Sequence, residues 1–254
     1  QAKNEGKLTQ ASVYIRDLTD NHWAGINEQA QYEPASLLKV VIMMTYLKQA
    51  EDNPGLLSQK LLYTQQLQND STSPYDAASN LEVGKSYKVD DLIKNMIVNS
   101  DNGAKNTLID AIDVNALNEF YSLLNIKNPG DSTADYTIST QTYSLLFRIL
   151  FNATYLNYAN SEKALELLSQ ATFKDGLAAG LPEGVSVAHK FGEYVPESNG
   201  EITEIGLHDC GIIYYPDHPY LLCVMTLGKN LDDLSSLIQN ISRLAYQQIQ
   251  DKYK

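Results

Sequence analysis

The sequence predicts an α+β fold: an antiparallel sheet built from both ends of the chain, together with an all-helical block from its middle. Three observations predict it. Strand-like alternation opens the chain, long apolar strand-like runs close it before one amphipathic helix, and the pattern from Leu56 to Gln170 is helical. Terminal strands that pair with one another leave the middle of the chain to pack beside them, with a cleft where the two parts meet. We therefore expect a single domain over 1–254, with 1–55 and 180–254 forming an α/β subdomain and 56–179 a helical one.

In order, "ASVYIRDL" alternates, with Val13 and Ile15 on one side, and "HWAGINEQ" follows the turn "TDN" as its hairpin partner. Pro34, Ala35 and Ser36 precede the run "LLKVVIMMTYL", a helix apolar nearly all round and so buried, with Ser36 near its first turn. "EDNPG" ends that helix. Further helices are expected over 56–68, 90–98, 103–111, 115–124, 139–152 and 161–170, with "STSPYDAASN" and "NPGDSTADYT" as loops. Strands follow in "VSVAHKF", "GLHDCGIIYYP" and "YLLCVMTLG", the last two joined by "PDHP", and the chain closes on the amphipathic helix "LDDLSSLIQNISRLAYQQIQDKY". Cys210 and Cys223 have no metal-type spacing and lie in apolar strands. Buried free thiols are expected, a disulfide being the alternative in an exported protein.

Composition narrows the function. The 254 residues, 43% hydrophobic and 20% charged, suffice for a real core. The net charge of -12 argues against nucleic acid and anionic lipid surfaces as partners, since both need a basic face. No stretch approaches the roughly 20 apolar residues of a membrane helix. "QAKNEGK" reads as a polar tail without a signal-peptide pattern. There is no Gly-x-Ser-x-Gly elbow, no His-Glu-x-x-His and no Gly-rich phosphate loop, so no metal and no organic cofactor are expected.

Three short stretches could carry chemistry. Ser36 and Lys39 are three residues apart and share one helix face. A serine hydroxyl needs a base to become a nucleophile, and a lysine amine can serve if burial and nearby charge depress its pKa. A helix N-terminus favours the developing oxyanion. Taken alone, a helix cap with a snorkelling lysine accounts for the pair as simply. Ser100, Asp101 and Asn102 sit between two helices, where a cap and turn are the plain account. Lys190 shares a strand face with Ala188 and Ser186, opposite His189 and Val187, and alone it reads as an edge-strand lysine guarding against aggregation.

In the order Ser-x-x-Lys, Ser-Asp-Asn, Lys-x-Gly, the three stretches resemble the penicillin-recognising serine enzymes, most closely the class A β-lactamase branch. The resemblance runs over nearly the whole chain, including "PASLLK", "SDN", "NPGDSTADYTIS", "DGLAAGLPEGVSVAHKFG" and "GIIYYPDHPYLLCVMTLG". It implies a β-lactamase/transpeptidase-like fold and a serine hydrolase that forms an acyl-enzyme with β-lactams or related peptide-like acyl donors. Ser36 would be the nucleophile, Lys39 the proton acceptor or the group that keeps the base network in place, and Ser100 the relay toward the leaving nitrogen. Asn102 would hold the substrate amide and Lys39. Lys190 would bring positive charge to a substrate carboxylate, and Gly192 and Glu193 would line the substrate site, with the Ser36 and Glu193 backbone N–H groups as oxyanion hole. The resemblance also implies a small-molecule or cell-wall peptide substrate, a monomer, and a place outside the cytoplasmic membrane.

Three departures bear on turnover. The family's loop glutamate, which activates the deacylating water, has no counterpart in the shorter "LLNIKNPGDSTADYT". Asp131 and Asp135 are the nearby carboxylates, Asp135 matching a structural aspartate that closes this loop. Lys190-Phe191-Gly192 replaces the usual hydroxyl by a ring, and Cys210 falls near where the family often places an arginine; His189 and His208 are the nearby candidates to compensate, though ordinary strand histidines are the simpler account. The alternatives to a working β-lactamase are a D,D-peptidase or penicillin-binding-type enzyme, and a non-catalytic sensor on the same fold.

Overall fold

The computed structural model describes residues 8–64, 75, 80–131, 136–195, 197–198, 201–202 and 204–254. The strands are β1 (Leu8–Asp17), β2 (Trp23–Ile26), β3 (Gln31–Tyr32), β4 (Lys60–Leu62), β5 (Ser86–Lys88), β6 (Ile138–Ser139), β7 (Val187–Tyr194), β8 (Glu197–Ser198), β9 (Glu201–Ile202), β10 (Ile205–Ile213) and β11 (Tyr220–Gly228). The helices are α1 (Lys39–Asp52), α2 (Val89–Val98), α3 (Asn102–Ala111), α4 (Val114–Leu123), α5 (Thr140–Phe151), α6 (Tyr158–Ser169) and α7 (Leu231–Lys252). The fold is α+β, as expected.

The chain divides into two compact units. One comprises Gln1–Leu37, Asp135–Arg148 and Lys174–Lys254, and the other Leu38–Ala134 and Ile149–Phe173. The first unit is built on a five-stranded antiparallel sheet in the order β2-β1-β11-β10-β7. The opening and closing strands do pair: Val13 faces Val224 and Ile15 faces Leu222. β10 and β11 are buried along almost their whole length, which is why their sequences are continuous apolar runs rather than alternations. α7 packs on the sheet through Leu234, Ile238 and Ile249, and its end is tied back to β1 where Lys252 Nζ and the Tyr253 hydroxyl both donate to Asp17 Oδ2 at 2.6 Å.

The second unit is a helical assembly around α1, whose Val40 to Leu47 are all buried. Side-chain caps start α3 (Asp101), α4 (Asp113) and α6 (Asn157). Here the structure corrects the expected helix over 56–68: Leu56–Ser58 form a single 3-10 turn, and β4 then pairs with β5. Backbone bonds from Tyr63 N to Lys85 O and from Gly84 N to Tyr63 O, each 2.9 Å, extend that pairing. The "LLYT" stretch therefore follows the period of a strand, Tyr63 buried beside exposed Leu62, and residues 65–68 lie outside the described residues. The expected loop "STSPYDAASN" also falls mostly outside them.

The cysteines are the second correction. Cys210 and Cys223 are directly opposite in the β10–β11 register and form a disulfide, not the expected free thiols. Two separate apolar strands gave no sign of their register, and the register is what brings the sulfurs together. Among the described residues no helix is long and apolar enough to cross a membrane.

Candidate active site

Ser36 lies in a 3-10 turn, Ala35–Leu38, that runs directly into α1 at Lys39. Both halves of the plain account of this pair fail. The cap position of α1 is Leu38 and no side chain caps that helix, so Ser36 is not its cap. Lys39 does not snorkel, being only 1% exposed. The residue before the serine, Ala35, has φ 47°, a left-handed conformation that costs a non-glycine residue about 1–3 kcal/mol and persists only where its surroundings impose it.

Within the helical unit Lys39 Nζ meets three oxygens from the α2–α3 connection and the first residue of α3. It donates to the Ser100 carbonyl at 2.5 Å, to Ser100 Oγ at 3.0 Å and to Asn102 Oδ1 at 2.7 Å. Neutral oxygen acceptors suit the N–H donors of an ammonium. Of these partners only the Ser100 hydroxyl can also donate. A neutral Lys39 amine can thus keep its bonds to the carbonyl and the amide while the hydroxyl turns its proton toward the nitrogen lone pair. The pair can pass a proton without any atom moving far.

The connection is shaped for this contact. Ser100 has φ 56°, so its carbonyl and hydroxyl are both directed by a left-handed residue. The cap of α3 is Asp101, not Ser100; its Oδ1 accepts from Ala104 N at 2.8 Å and from the buried Tyr63 hydroxyl at 3.2 Å. Asp101 thus takes the structural role, leaving the side chains on either side of it to Lys39.

In the sheet unit, β7 continues past Gly192 to Tyr194 and is the edge of the sheet. Lys190 is nevertheless 0% exposed, so it does not guard an edge from solvent. Burial pushes its ammonium down to about 7, with Asp209 opposing the shift. Its Nζ donates to the Phe191 carbonyl at 2.9 Å and stands 4.3 Å from the centre of the Phe191 ring. By register Lys190 faces Cys210, while Phe191 faces Asp209. Asp209 is fully buried, and both of its oxygens are engaged, Oδ1 with His189 Nδ1 and Oδ2 with Leu177 N, each at 2.8 Å. Motif reasoning passed over Asp209. Its signal was present: an acidic residue inside "GLHDCGIIYY" must be either exposed or paired.

Gly192 is required by contact. A Cβ there would stand 2.7 Å from the Pro34 carbonyl oxygen and 3.3 Å from Leu37 N, so β7 lies backbone to backbone against the turn that carries Ser36. Glu193 follows it, half-buried. His208 lies across from Gly192. Its Nδ1 accepts from Thr226 N at 3.2 Å, which puts its proton on Nε2, and Nε2 donates to the Glu33 carbonyl at 3.0 Å. Burial pushes this imidazole down to about 4, so His208 is neutral near pH 7 and brings no charge to a substrate carboxylate. In the loop "NPGDSTADYT", Asp135 lies outside the described residues, and Asp131 ends a 3-10 turn, Pro129–Asp131. Among the described residues no cluster of His, Cys, Asp and Glu could hold a metal ion.

A family profile described as "Beta-lactamase enzyme family" matches residues 2–249. A search of curated protein sequences finds no match. Among solved structures, the chain is similar to TLA-3 extended-spectrum β-lactamase (20% identity over 97% of this chain and 95% of that one, TM-score 0.82). It is similar to a β-lactamase from Sphaerobacter thermophilus DSM 20745 (19%, 97% and 94%, TM-score 0.77). It is also similar to a mutant of PBP-A solved as an acyl-enzyme complex with penicillin G (21%, 98% and 93%, TM-score 0.76). The fold is the β-lactamase/transpeptidase-like fold.

Proposed function

The chain belongs to the beta-lactamase enzyme family and is a serine hydrolase of that type, and on that premise we propose that Ser36 is its nucleophile and Lys39 the group that takes the serine proton. The observation that carries this reading is the burial of Lys39 against Ser100 and Asn102, a placement that neither a helix cap nor a surface lysine requires. Ser36 attacks the acyl carbonyl, and its proton passes to Lys39 and, through Ser100 Oγ, to the leaving nitrogen. Asn102 orients the substrate amide. The backbone N–H groups of Ser36 and Glu193 receive the oxyanion, Gly192 allows the approach, and Lys190 attracts the substrate carboxylate. Residues 1–254 act as one catalytic domain on a small-molecule or cell-wall peptide acyl donor, as a monomer outside the cytoplasmic membrane.

The acyl-enzyme is expected to persist. Residues 123–137 contain no glutamate to activate a deacylating water, and Phe191 stands where a hydroxyl is usual. That favours a penicillin-binding or peptidase-like enzyme over rapid β-lactam turnover. The test is intact-protein mass spectrometry over time after mixing with penicillin G, with peptide mapping of the adduct. A stable adduct on the peptide containing Ser36 is expected. An adduct that disappears as the drug is hydrolysed would replace this reading by a working β-lactamase, and no adduct at any time would remove β-lactam recognition.

The role of Lys190 carries its own pH signature. Its amine loses its proton near pH 7, so the second-order acylation constant is expected to fall by about tenfold per pH unit above that point, because this constant reports the free enzyme. Lys190→Arg stays charged and should abolish the decline. A wild-type profile flat to pH 9 would exclude a charge role for Lys190.

A further inference from the structure

The carbonyls of Glu33 and Leu37, on either side of Ser36, are each held by a fully buried side chain from elsewhere in the sheet unit. His208 Nε2 on β10 donates to Glu33 O at 3.0 Å, and the Tyr143 hydroxyl on α5 donates to Leu37 O at 2.9 Å. Between them the turn closes on itself through Leu37 N to Pro34 O at 3.0 Å, and Pro34 O rests on Gly192. Within this span sits Ala35 with its left-handed φ. A left-handed alanine relaxes toward the β or right-handed region unless the chain on both sides is fixed. Either relaxation would re-aim the next side chain, which is Ser36.

We propose that Tyr143 and His208 are positioning residues that clamp the two ends of the Ser36 turn and hold the hydroxyl in its attacking orientation. The inference rests on the reading of Ser36 as nucleophile. His208 suits the task because its tautomer is set from behind: Thr226 N–H occupies Nδ1, so Nε2 always presents its proton to Glu33. The ring is further located by Tyr32, edge-on at 5.5 Å between centroids. Neither residue touches the reacting atoms. Their effect lies in the geometry of attack, where displacements of about 1 Å cost on the order of a hundredfold.

The experiment measures acylation by penicillin G over a range of concentrations, separating the limiting rate from the half-saturating concentration, well below every variant's unfolding temperature. Tyr143→Phe and His208→Ala are each expected to lower the limiting rate by about ten- to a hundredfold while half-saturation moves by less than about threefold. His208→Gln, which carries one donor and one acceptor at its tip as the neutral imidazole does, should recover most of the loss. Tyr46→Phe is the control for stability alone. It loses an equally buried hydroxyl-to-carbonyl bond, Tyr46 to Leu108 O at 2.7 Å, and should acylate at the wild-type rate. A rate loss shared equally by Tyr46→Phe, or wild-type rates in both clamp variants, would overturn the proposal. A wild-type protein that takes no acyl group counts instead against the nucleophile reading. The clamp is then read by amide hydrogen exchange of a peptide covering 33–40: faster exchange in Tyr143→Phe and His208→Ala but not in Tyr46→Phe supports it, and unchanged exchange overturns it.

Discussion

Ser36→Ala is expected to take no acyl group from penicillin G at any time, and Lys39→Met to acylate about a thousandfold more slowly than wild type. The first removes the only atom proposed to bond the acyl carbon. The second removes the base and leaves an unbranched side chain one atom shorter, so the loss is chemical before it is steric. Methionine leaves the Ser100 carbonyl, Ser100 Oγ and Asn102 Oδ1 without their common donor, which also destabilises the fold by about 1–3 kcal/mol. The rates must therefore be compared where both proteins are fully folded. Lys39→Arg separates charge from basicity: guanidinium retains the charge and cannot take a proton, so it should be about as slow as methionine. Wild-type acylation in Lys39→Met would place the base elsewhere.

Asp209→Ala is expected to destabilise the protein by about 3–5 kcal/mol, the largest stability effect of any single change considered. Asp209 is fully buried and bonded to His189 Nδ1 and Leu177 N. Alanine deprives a buried amide and a buried imidazole of the same acceptor and removes the carboxylate whose field supports the Lys190 ammonium. Asp209→Asn keeps an oxygen for one partner but turns an N–H₂ toward the other, and should cost about half as much. Denaturant midpoints at neutral pH measure both. A midpoint within experimental scatter of wild type for Asp209→Ala would mean that solvent or a neighbour replaces the carboxylate, and that the cluster does not hold β7 to β10.

Much of this molecule was legible in the chain. Strands at both ends followed from alternation at Val13 and Ile15 and from the apolar runs before α7, because side-chain periodicity is a local consequence of backbone geometry. The helices near 90–98, 103–111 and 115–124 were legible for the same reason. The segment 56–68 was not. Its length and overall apolar content suit a helix, but β5 begins at Ser86, 24 residues beyond the end of β4 at Leu62, and offers backbone partners that no local window contains. Ser36, Lys39, Ser100, Asn102 and Lys190 were singled out as candidates through their order and spacing. Asp209 and Tyr143 were not, and His208 was named only as a candidate charge for a substrate carboxylate, because their partners are carbonyls, an amide and a histidine that carry no motif.

The sequence by itself determined the α+β class, the helix and strand types, and the short local motifs, all of which depend on residues within a few positions of one another. Tertiary structure alone decided that Lys39 reaches an oxygen cluster 61 residues away. It alone decided that Cys210 faces Cys223 and that Asp209 lies opposite Phe191. For Lys39 the reason is helix packing, and for the two strand pairs it is register. Shifting a strand by one residue leaves its composition and periodicity intact but turns every side chain to the other face, so which groups meet is settled only when the strands pair.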